Sequence, residues 1–274
     1  MTASAQDTVN LPSALTLLVG GDRQGGKNSA IDATLALKNN WLIGLGVDSS
    51  KIPDVDEKDQ TTVSGAHFSV TTNPLHLVSG DIELATWRMS DDVDSVSAQL
   101  GLTFAPLDWV VSVTGGAEQL NFYHMPKLIF ADSKSQLNDI YGGVSVEYFL
   151  NDVWATRVFY TRHNYDQNLT EYSEGLRVKY IPPSVLTTVT GFPSQDAGLE
   201  ISADIRAVHV GLELAASRSA LDDVRTRRAQ LRASYKFHKD WKVSSMVGGS
   251  KPENSEEDPR DNRYGSLSLT YFWR

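Results

Sequence analysis

Apolar and polar residues alternate with a period of two along most of the chain. The segment "RAQLRASYKF" (228–237) places alanine, leucine, tyrosine and phenylalanine on one face, and arginine, glutamine, serine and lysine on the other. The segments "VHVGLELAAS" (208–217) and "SVSAQLGLTFA" (95–105) follow the same pattern. This period is typical of β-strands with two different faces, whereas helical periodicity is almost absent. The pattern therefore predicts an all-β chain built from strands of about ten residues.

The connections between these strands alternate in length. Short ones, such as "KNNW" (38–41), "PLDW" (106–109) and "LNDVW" (150–154), contain the asparagine, aspartate and proline that tight turns favour. Longer and more polar ones lie between them, such as "PDVDEKDQTT" (53–62) and "KPENSEEDPRDN" (251–262). Strands joined in this way form an up-and-down antiparallel meander.

The alternation delimits sixteen strands, and fourteen remains a second solution. The weakest boundary lies near Arg206, where the apolar phase slips without a strong turn residue. We expect one domain over 13–274, preceded by a tail over 1–12 that remains after removal of an export signal, because "ASA" (3–5) fits a signal-peptidase site. The sixteen predicted segments are 13–22, 29–38, 41–50, 62–72, 75–88, 95–105, 109–121, 139–149, 153–163, 174–181, 185–191, 198–205, 207–217, 225–237, 241–249 and 263–273.

A meander of this size protects its edge strands by closing into a barrel. About eight strands leave an interior that side chains can fill, whereas sixteen leave an aqueous hole. The apolar faces are mostly alanine, valine, leucine, isoleucine and glycine, which are too small to fill that hole. The same faces suit lipid, and no run reaches the roughly 18 apolar residues of a spanning helix. We therefore expect a transmembrane antiparallel up-and-down β-barrel with its apolar side toward the membrane and its polar side toward the lumen.

Aromatic residues mark the ends of the predicted strands. Tryptophan and tyrosine prefer the boundary between membrane and water. A tryptophan starts the strand after four of the short turns, and the last strand ends with further aromatic residues. We expect an interfacial girdle made of Trp41, Trp109, Trp154, Trp241, Tyr271 and Trp273. Four tyrosines near the long connections are candidates for a second girdle: Tyr123, Tyr141, Tyr160 and Tyr264.

The chain closes with "RYGSLSLTYFWR" (263–274), in which a glycine precedes alternating apolar positions and a final aromatic residue. This stretch resembles the terminal strand of bacterial outer-membrane β-barrels, although Arg274 follows the aromatic residue. The resemblance implies location in the bacterial outer membrane, contact with the lipid bilayer and lipopolysaccharide, and recognition by the outer-membrane insertion machinery. In length and strand number the chain is most similar to a small porin or to a channel-forming export barrel, for example for a polysaccharide.

Assigning the apolar positions to lipid places the charged strand residues in the lumen, where the two halves of the chain differ. In a meander, strands that follow one another in the sequence are neighbours in the wall. One wall of the barrel is therefore expected to be acidic and the opposite wall basic. Charges around a pore set its selectivity, and we expect a porin-like channel for passive diffusion of small hydrophilic solutes or ions. The same charges also fit salt bridges that rigidify the wall. The acidic residues are Asp32, Asp48, Asp81, Glu83, Glu118 and Glu147, and the basic ones are Arg157, Arg177, Lys179, Arg206, Arg228, Arg232, Lys236 and Lys242.

Other functions receive less support. A formal net charge of −9 disfavours nucleic-acid binding, which needs a basic face. The chain has no cysteine and its histidines show no metal-ligand spacing, so we expect no metal and no cofactor. His67 and Ser69 share one strand face, as in some outer-membrane lipid hydrolases, but their phase turns them toward the lumen, and we expect no enzyme. The apolar connection at 124–139 either constricts the pore or contacts a partner, and the oligomeric state stays open.

Overall fold

The computed structural model describes residues 11–23, 25–53, 60–89, 93–123, 136–167, 169, 192–220, 222–253 and 262–274 of the 274-residue chain. Within these residues the chain forms fourteen β-strands and one short 3-10 turn, Lys38–Asn40. The strands are β1 (Ser13–Asp22), β2 (Lys27–Ala36), β3 (Leu42–Pro53), β4 (Gln60–Thr71), β5 (Val78–Met89), β6 (Val93–Phe104), β7 (Trp109–Phe122), β8 (Gln136–Phe149), β9 (Trp154–Tyr165), β10 (Pro193–Ile205), β11 (Val208–Ser219), β12 (Arg225–His238), β13 (Trp241–Pro252) and β14 (Asn262–Trp273).

The strands close into one antiparallel barrel in which each strand pairs with its neighbours in the chain. Closure is made by β1 and β14, whose register runs from Ser13 opposite Trp273 to Asp22 opposite Tyr264. The C-terminal stretch of alternating residues is therefore the strand that completes the wall. A closed wall leaves no strand edge unpaired, which removes the aggregation hazard of a large open sheet.

The wall contains fourteen strands, the smaller of the two predicted numbers. β9 pairs directly with β10, with Arg162 opposite Gln195, so nothing is inserted between them. The two additional segments predicted at 174–181 and 185–191 lie outside the described residues. The weak boundary near Arg206 is confirmed, because Arg206 and Ala207 form a two-residue turn in which Arg206 has a φ of 57°.

The two faces of the wall differ as predicted. Leu212 on β11 lies directly opposite Leu231 on β12, and both are 44% exposed. Leu269 on β14 is 39% exposed on the same outer face. Positions that alternate with these leucines point to the interior, which we call the inner face, and they carry charged residues such as Glu213 and Arg232. This order is the reverse of a soluble barrel and matches a wall surrounded by hydrocarbon.

The two ends of the barrel differ in their connections. The short turns, such as the one at Arg206 and Ala207, lie at the end where β1 begins and β14 finishes. The short-turn end also contains Asn39 and Asn40 with φ angles of 64° and 59°, a left-handed conformation that asparagine tolerates. The opposite end carries the longer connections, including those after β3, β7, β9 and β13. No helix among the described residues has the length and apolar composition needed to cross a membrane.

Candidate transport pathway

Five of the predicted acidic residues lie on the inner face of β2, β3, β5 and β7. We call this group the acidic wall. Its carboxylates have no lysine or arginine within ion-pair distance among the described residues. On the inner face of β2–β7, no described position carries either residue type. The acidic wall consists of Asp32, Asp48, Asp81, Glu83 and Glu118.

Glycines make room for the acidic wall. His67 on β4 lies opposite Gly46 on β3, and its Nε2 atom is 3.4 Å from Oδ1 of Asp32. A Cβ atom on Gly46 would collide with both Asp32 and His67, so only glycine lets them meet above the strand. Gly65 provides the same space for Asp48, whose Oδ2 atom is buried without a hydrogen-bond partner.

Glu118 is held by neutral donors. The indole Nε1 of Trp87 donates a hydrogen bond to Oε1 of Glu118 at 3.0 Å, and the hydroxyl of Ser95 donates to the same oxygen at 2.5 Å. These bonds fix the carboxylate without adding a positive charge. On β5, Glu83 lies opposite Ser69, and Asp81 lies opposite Thr71. The acidic wall therefore combines negative side chains with hydroxyl and indole donors.

The later strands carry arginines whose charge is balanced locally. Glu213 on β11 is almost fully buried and accepts hydrogen bonds from Nη2 of Arg228 at 3.1 Å and from Nη2 of Arg232 at 3.0 Å. Nη2 of Arg228 also lies 3.7 Å from Oδ2 of Asp196, and Nη1 of Arg232 lies 3.8 Å from Oε1 of Glu200. One carboxylate thus bridges two guanidinium groups, and two further carboxylates flank them.

Arg157 extends this arrangement toward β8. In register it lies between Glu147 on β8 and Glu200 on β10, so acidic and basic residues alternate along one row of the wall. We call Arg157, Asp196, Glu200, Glu213, Arg228 and Arg232 the paired wall. Its three arginines face these three carboxylates and Glu147, whereas the acidic wall has no arginine at all.

The remaining predicted basic residues lie in different places. Nζ of Lys236 and Nζ of Lys242 lie 5.4 and 5.9 Å from the ring centroid of Phe272, at the short-turn end of the barrel. Arg206 lies in the turn between β10 and β11 rather than in a strand, because its left-handed backbone ends β10. Arg177 and Lys179 lie outside the described residues.

The inner face also holds an aromatic cluster that the sequence pattern did not single out. The ring of Tyr141 stacks on His163 with centroids 5.2 Å apart, and its hydroxyl donates a hydrogen bond to Gln99 at 3.2 Å. Nδ1 of His163 lies 2.5 Å from Oδ2 of Asp139, which is itself almost fully buried. Tyr165 stacks on the far side of His163, with centroids 6.3 Å apart. Tyr141 lies two residues after Asp139 and therefore on the same face of β8. The alternation along this strand could have indicated that its ring points inward.

Near the long-connection end, several inner positions of β4–β8 are apolar and buried. A wall bathed in water would leave these side chains exposed, so this part of the inner face is covered. The residues are Val63, Met89, Val93, Leu120 and Leu137.

The girdle predicted at the short-turn end lies on the outer face. The ring of Trp109 packs against Tyr148 with centroids 4.5 Å apart, and that of Trp241 packs against Tyr271 at 4.8 Å. Tyr271 also stacks on Trp273 at 6.1 Å. Trp41 and Trp154 are about half exposed beside the neighbouring turns. Their role at a membrane boundary remains a prediction.

The second girdle was wrong for two of its four tyrosines. Tyr141 faces the interior, and Tyr264 faces it as well, since its hydroxyl donates to Oε1 of Gln230 at 3.3 Å. Both rings fall in the strand phase of the charged residues and not in that of the leucines. Tyr123 and Tyr160 are exposed, at 55% and 41%.

The residues considered for catalysis do not form an assembled pair. His67 and Ser69 both face the interior, and the described contacts of His67 include Asp32 but no hydrogen bond to Ser69. Their side chains also point away from the leucine-rich outer face where lipid would lie. Among the described residues, no group of three or more histidine, aspartate or glutamate side chains is arranged to hold a metal ion.

Comparison with known proteins identifies the fold. No protein-family model matches the chain, and no curated protein matches it in sequence. Among solved structures, the CymD monoaromatic hydrocarbon channel is 10% identical, with a TM-score of 0.58 over 97% of this chain and 89% of its own. A TodX monoaromatic hydrocarbon channel mutant is 8% identical, with a TM-score of 0.54 over 96% and 88%. OccK5 (OpdH) of Pseudomonas aeruginosa is 8% identical, with a TM-score of 0.50 over 96% and 97%.

Two of these solved structures are named as channels, and none of the three is named as an enzyme. The predicted outer-membrane location agrees with the fold. The chain thus has the porin-like fold of bacterial outer-membrane β-barrels, as its alternating pattern and C-terminal strand predicted.

Proposed function

We propose that this barrel is a porin-like channel for passive diffusion of small hydrophilic solutes or ions. The observation that carries the proposal is the reversed polarity of the wall. Leu212, Leu231 and Leu269 are exposed on the outside, whereas the charged residues of the acidic wall and the paired wall lie on the inside. Fourteen strands lie between the number that side chains can fill and the number that leaves a wide aqueous pore. We expect water to fill the polar interior of a barrel with this number of strands.

The charges of the lumen favour positively charged solutes. The acidic wall carries five carboxylates without an arginine, whereas the paired wall balances three arginines with three carboxylates. Because the paired wall is nearly neutral, the acidic wall dominates the potential in the water between them. The two opposed walls therefore do not carry opposite net charges. They differ in how many of their carboxylates are paired with arginines. We expect cations to enter more readily than anions.

Apolar solutes are a second class to consider, because two of the solved structures are named monoaromatic hydrocarbon channels. The apolar inner residues of this barrel, such as Met89 and Leu137, are buried and not exposed to a passing solute. The inner face favours hydrophilic solutes instead.

The experiment uses purified, folded protein in planar lipid bilayers. We expect discrete conductance steps in potassium chloride, and swelling of proteoliposomes in small sugars. Folded protein that inserts into the bilayer and shows no conductance and no swelling would contradict the proposal.

We also propose that β14 is recognised by the outer-membrane insertion machinery. Its glycine, alternating leucines and final aromatic residues form the strand that closes the barrel against β1. A chain lacking residues 265–274 is expected to remain outside the outer membrane fraction of a bacterial host.

A further inference from the structure

The outer face of seven consecutive strands follows one pattern toward the long-connection end. On each of β11, β12, β13, β14, β1, β2 and β3, an exposed apolar residue is followed by a small residue and then by a lysine or arginine. These strands are contiguous across the β1–β14 closure. The triplets are Leu214-Ala216-Arg218, Leu231-Ala229-Arg227, Val247-Gly249-Lys251, Leu267-Gly265-Arg263, Val19-Gly21-Arg23, Ile31-Ser29-Lys27 and Val47-Ser49-Lys51.

The cations of these triplets, together with Arg225, form what we call the basic arc. All eight side chains are exposed at the rim of the barrel, directly beyond the apolar belt. Arg23 and Arg263 are brought side by side by a backbone hydrogen bond of 2.8 Å from the amide of Arg23 to the carbonyl oxygen of Arg263. The arc therefore extends over half of the strands without a gap.

The other half of the rim is different. On β4–β10 the described outer positions carry only two cations, Arg88 and Arg162, and one carboxylate, Asp94. The other polar residues at these positions are amides or hydroxyls, and some of the amides bond to one another or to Asp94. For example, Nδ2 of Asn121 donates to Asp94 at 2.8 Å, and Nε2 of Gln119 donates to Asn121 at 3.1 Å. Several polar groups of this half are therefore paired with one another.

The basic arc places like charges directly opposite one another. Lys27 pairs in register with Lys51, Arg227 with Lys251, and Arg218 with Arg225. Like charges in this position are destabilising unless an anion lies between them. Without a nearby anion, each of these three pairs would lower the stability of the rim.

Only part of the arc has a counter-ion within the chain. Arg218 bonds to Asp223, and this guanidinium lowers the pKa of Asp223, which keeps the carboxylate ionised. Nη2 of Arg227 lies 2.8 Å from Oε1 of Glu253, and Nε of Arg225 lies 3.9 Å from it.

The other arc residues are Lys27, Lys51, Lys251, Arg263 and Arg23. For none of these five does the described part of the chain provide an ion-pair partner. Within the described residues, these five positive charges are therefore not balanced.

We propose that the basic arc binds the phosphate groups of a phosphorylated glycolipid in the membrane leaflet at the long-connection end. The long connections of such barrels face the outside of the cell, where that leaflet consists of phosphorylated glycolipid. Along the membrane normal, the three residues of each triplet then lie at the depths of the acyl chains, the headgroup and the phosphate of a lipid. The apolar residue contacts acyl chains, the small residue lets the headgroup approach the wall, and the cation binds phosphate as a charge-assisted pair.

The proposal rests on the membrane orientation of the barrel and not on its conductance. The experiment measures binding of bisphosphorylated lipid A to the purified protein in detergent by native mass spectrometry. Lipid A without phosphates and phosphatidylethanolamine serve as comparison lipids, and inorganic phosphate serves as a soluble competitor. We expect the bisphosphorylated lipid to bind most tightly, and inorganic phosphate at equal concentration to leave it bound.

The variant Lys27→Gln/Lys51→Gln removes one opposed pair that lacks a counter-ion. Its affinity for bisphosphorylated lipid A should fall by about tenfold to thirtyfold, since each cation near a charged headgroup contributes about 1 kcal/mol. The matched control is Arg88→Gln/Arg162→Gln, which removes the same charge from the other half of the rim and should change the affinity little. Unchanged far-ultraviolet circular dichroism spectra of both variants show that the barrel is intact.

Three results would overturn the proposal. The first is equal binding of the lipid with and without phosphates, and the second is an equal loss of affinity in both double variants. The third is displacement of the lipid by inorganic phosphate at equal concentration, which would make the arc a site for soluble anions.

Discussion

The acidic wall on β2–β7 and the paired wall on β9–β12 each carry several carboxylates, but only the paired wall holds arginines beside them. Glu213 contacts Arg228 and Arg232 on the neighbouring strand. Glu83 and Asp81 instead lie opposite uncharged residues: Ser69 and Gln99 flank Glu83, and Thr71 and Gly101 flank Asp81. The same residue type is thus a structural crosslink on one side of the lumen and a free charge on the other. Lumen charge therefore follows from pairing and not from the number of ionic residues.

The two walls also differ in how space is provided. Gly46 and Gly65 leave room for Asp32, His67 and Asp48 on the acidic wall. On the paired wall, long arginine side chains reach across β11 and β12 to their partners. We expect mutations on the paired wall to act mainly on stability, and mutations on the acidic wall to act mainly on ion selectivity.

The largest effect is expected from Glu213→Gln on the paired wall. This substitution leaves Arg228 and Arg232 without their shared counter-charge, and breaking a buried ion pair costs about 3 kcal/mol or more. The free energy of unfolding should fall by about that amount in urea titrations of the protein in lipid vesicles, followed by tryptophan fluorescence.

The matched control for this experiment is Glu83→Gln on the acidic wall. Because Glu83 has no cationic partner among the described residues, its free energy of unfolding should change by no more than about 0.5 kcal/mol. Equal losses in the two variants would show that the distinction between the walls is wrong.

A smaller effect, on selectivity, is expected from Asp32→Asn/Glu83→Gln. A unit charge acting over 4 Å of water contributes about 1 kcal/mol, which corresponds to about a fivefold change in local cation concentration. The permeability ratio of potassium to chloride, obtained from reversal potentials in a salt gradient, should fall by up to about fivefold for each of the two charges removed. The control is Asp108→Asn/Asp152→Asn, which removes the same charge from exposed short turns. If the control shifts the ratio as much, the acidic wall is not the determinant.

The smallest effect is expected from Gly46→Ala. The added methyl group would collide with Asp32 and His67, which are only partly buried and can move aside. Overpacking of this kind should cost at most about 1 kcal/mol of unfolding free energy. Gly115→Ala is the comparison, since the nearest atom to its added methyl group is 3.8 Å away. A larger loss at Gly115 than at Gly46 would contradict the description of the cluster.

The sequence predicted the parts of this barrel that depend on local alternation. The period of two identified the strands, their apolar outer face and the closing strand at 263–273, because each of these features depends only on residues that are close together in the sequence. The tryptophans at the short turns were found in the same way. The inward direction of Asp32, Asp48, Asp81, Glu83 and Glu118 also follows from phase alone.

Features that depend on register between strands were not predicted. Glu213 meets Arg228 and Arg232 because β11 and β12 pair with Ala215 opposite Arg228 and Gly211 opposite Arg232. The strand number depends likewise on β9 pairing directly with β10, which no local pattern reveals.

The basic arc was missed for another reason. Arg227 and Arg228 are neighbours in sequence, but one faces outward and the other inward. Because the charged strand residues were predicted to line the lumen, the outward direction of Arg227 was not predicted.

Site-specific labelling tests the central claim, the reversed polarity of the wall, most directly. The chain contains no cysteine, so single cysteines can be placed at Leu231 and at Ser234, which face opposite sides of β12. In proteoliposomes, a charged water-soluble thiol reagent should modify Ser234→Cys rapidly and leave Leu231→Cys unmodified. Rapid modification of Leu231→Cys with protection of Ser234→Cys would contradict the account.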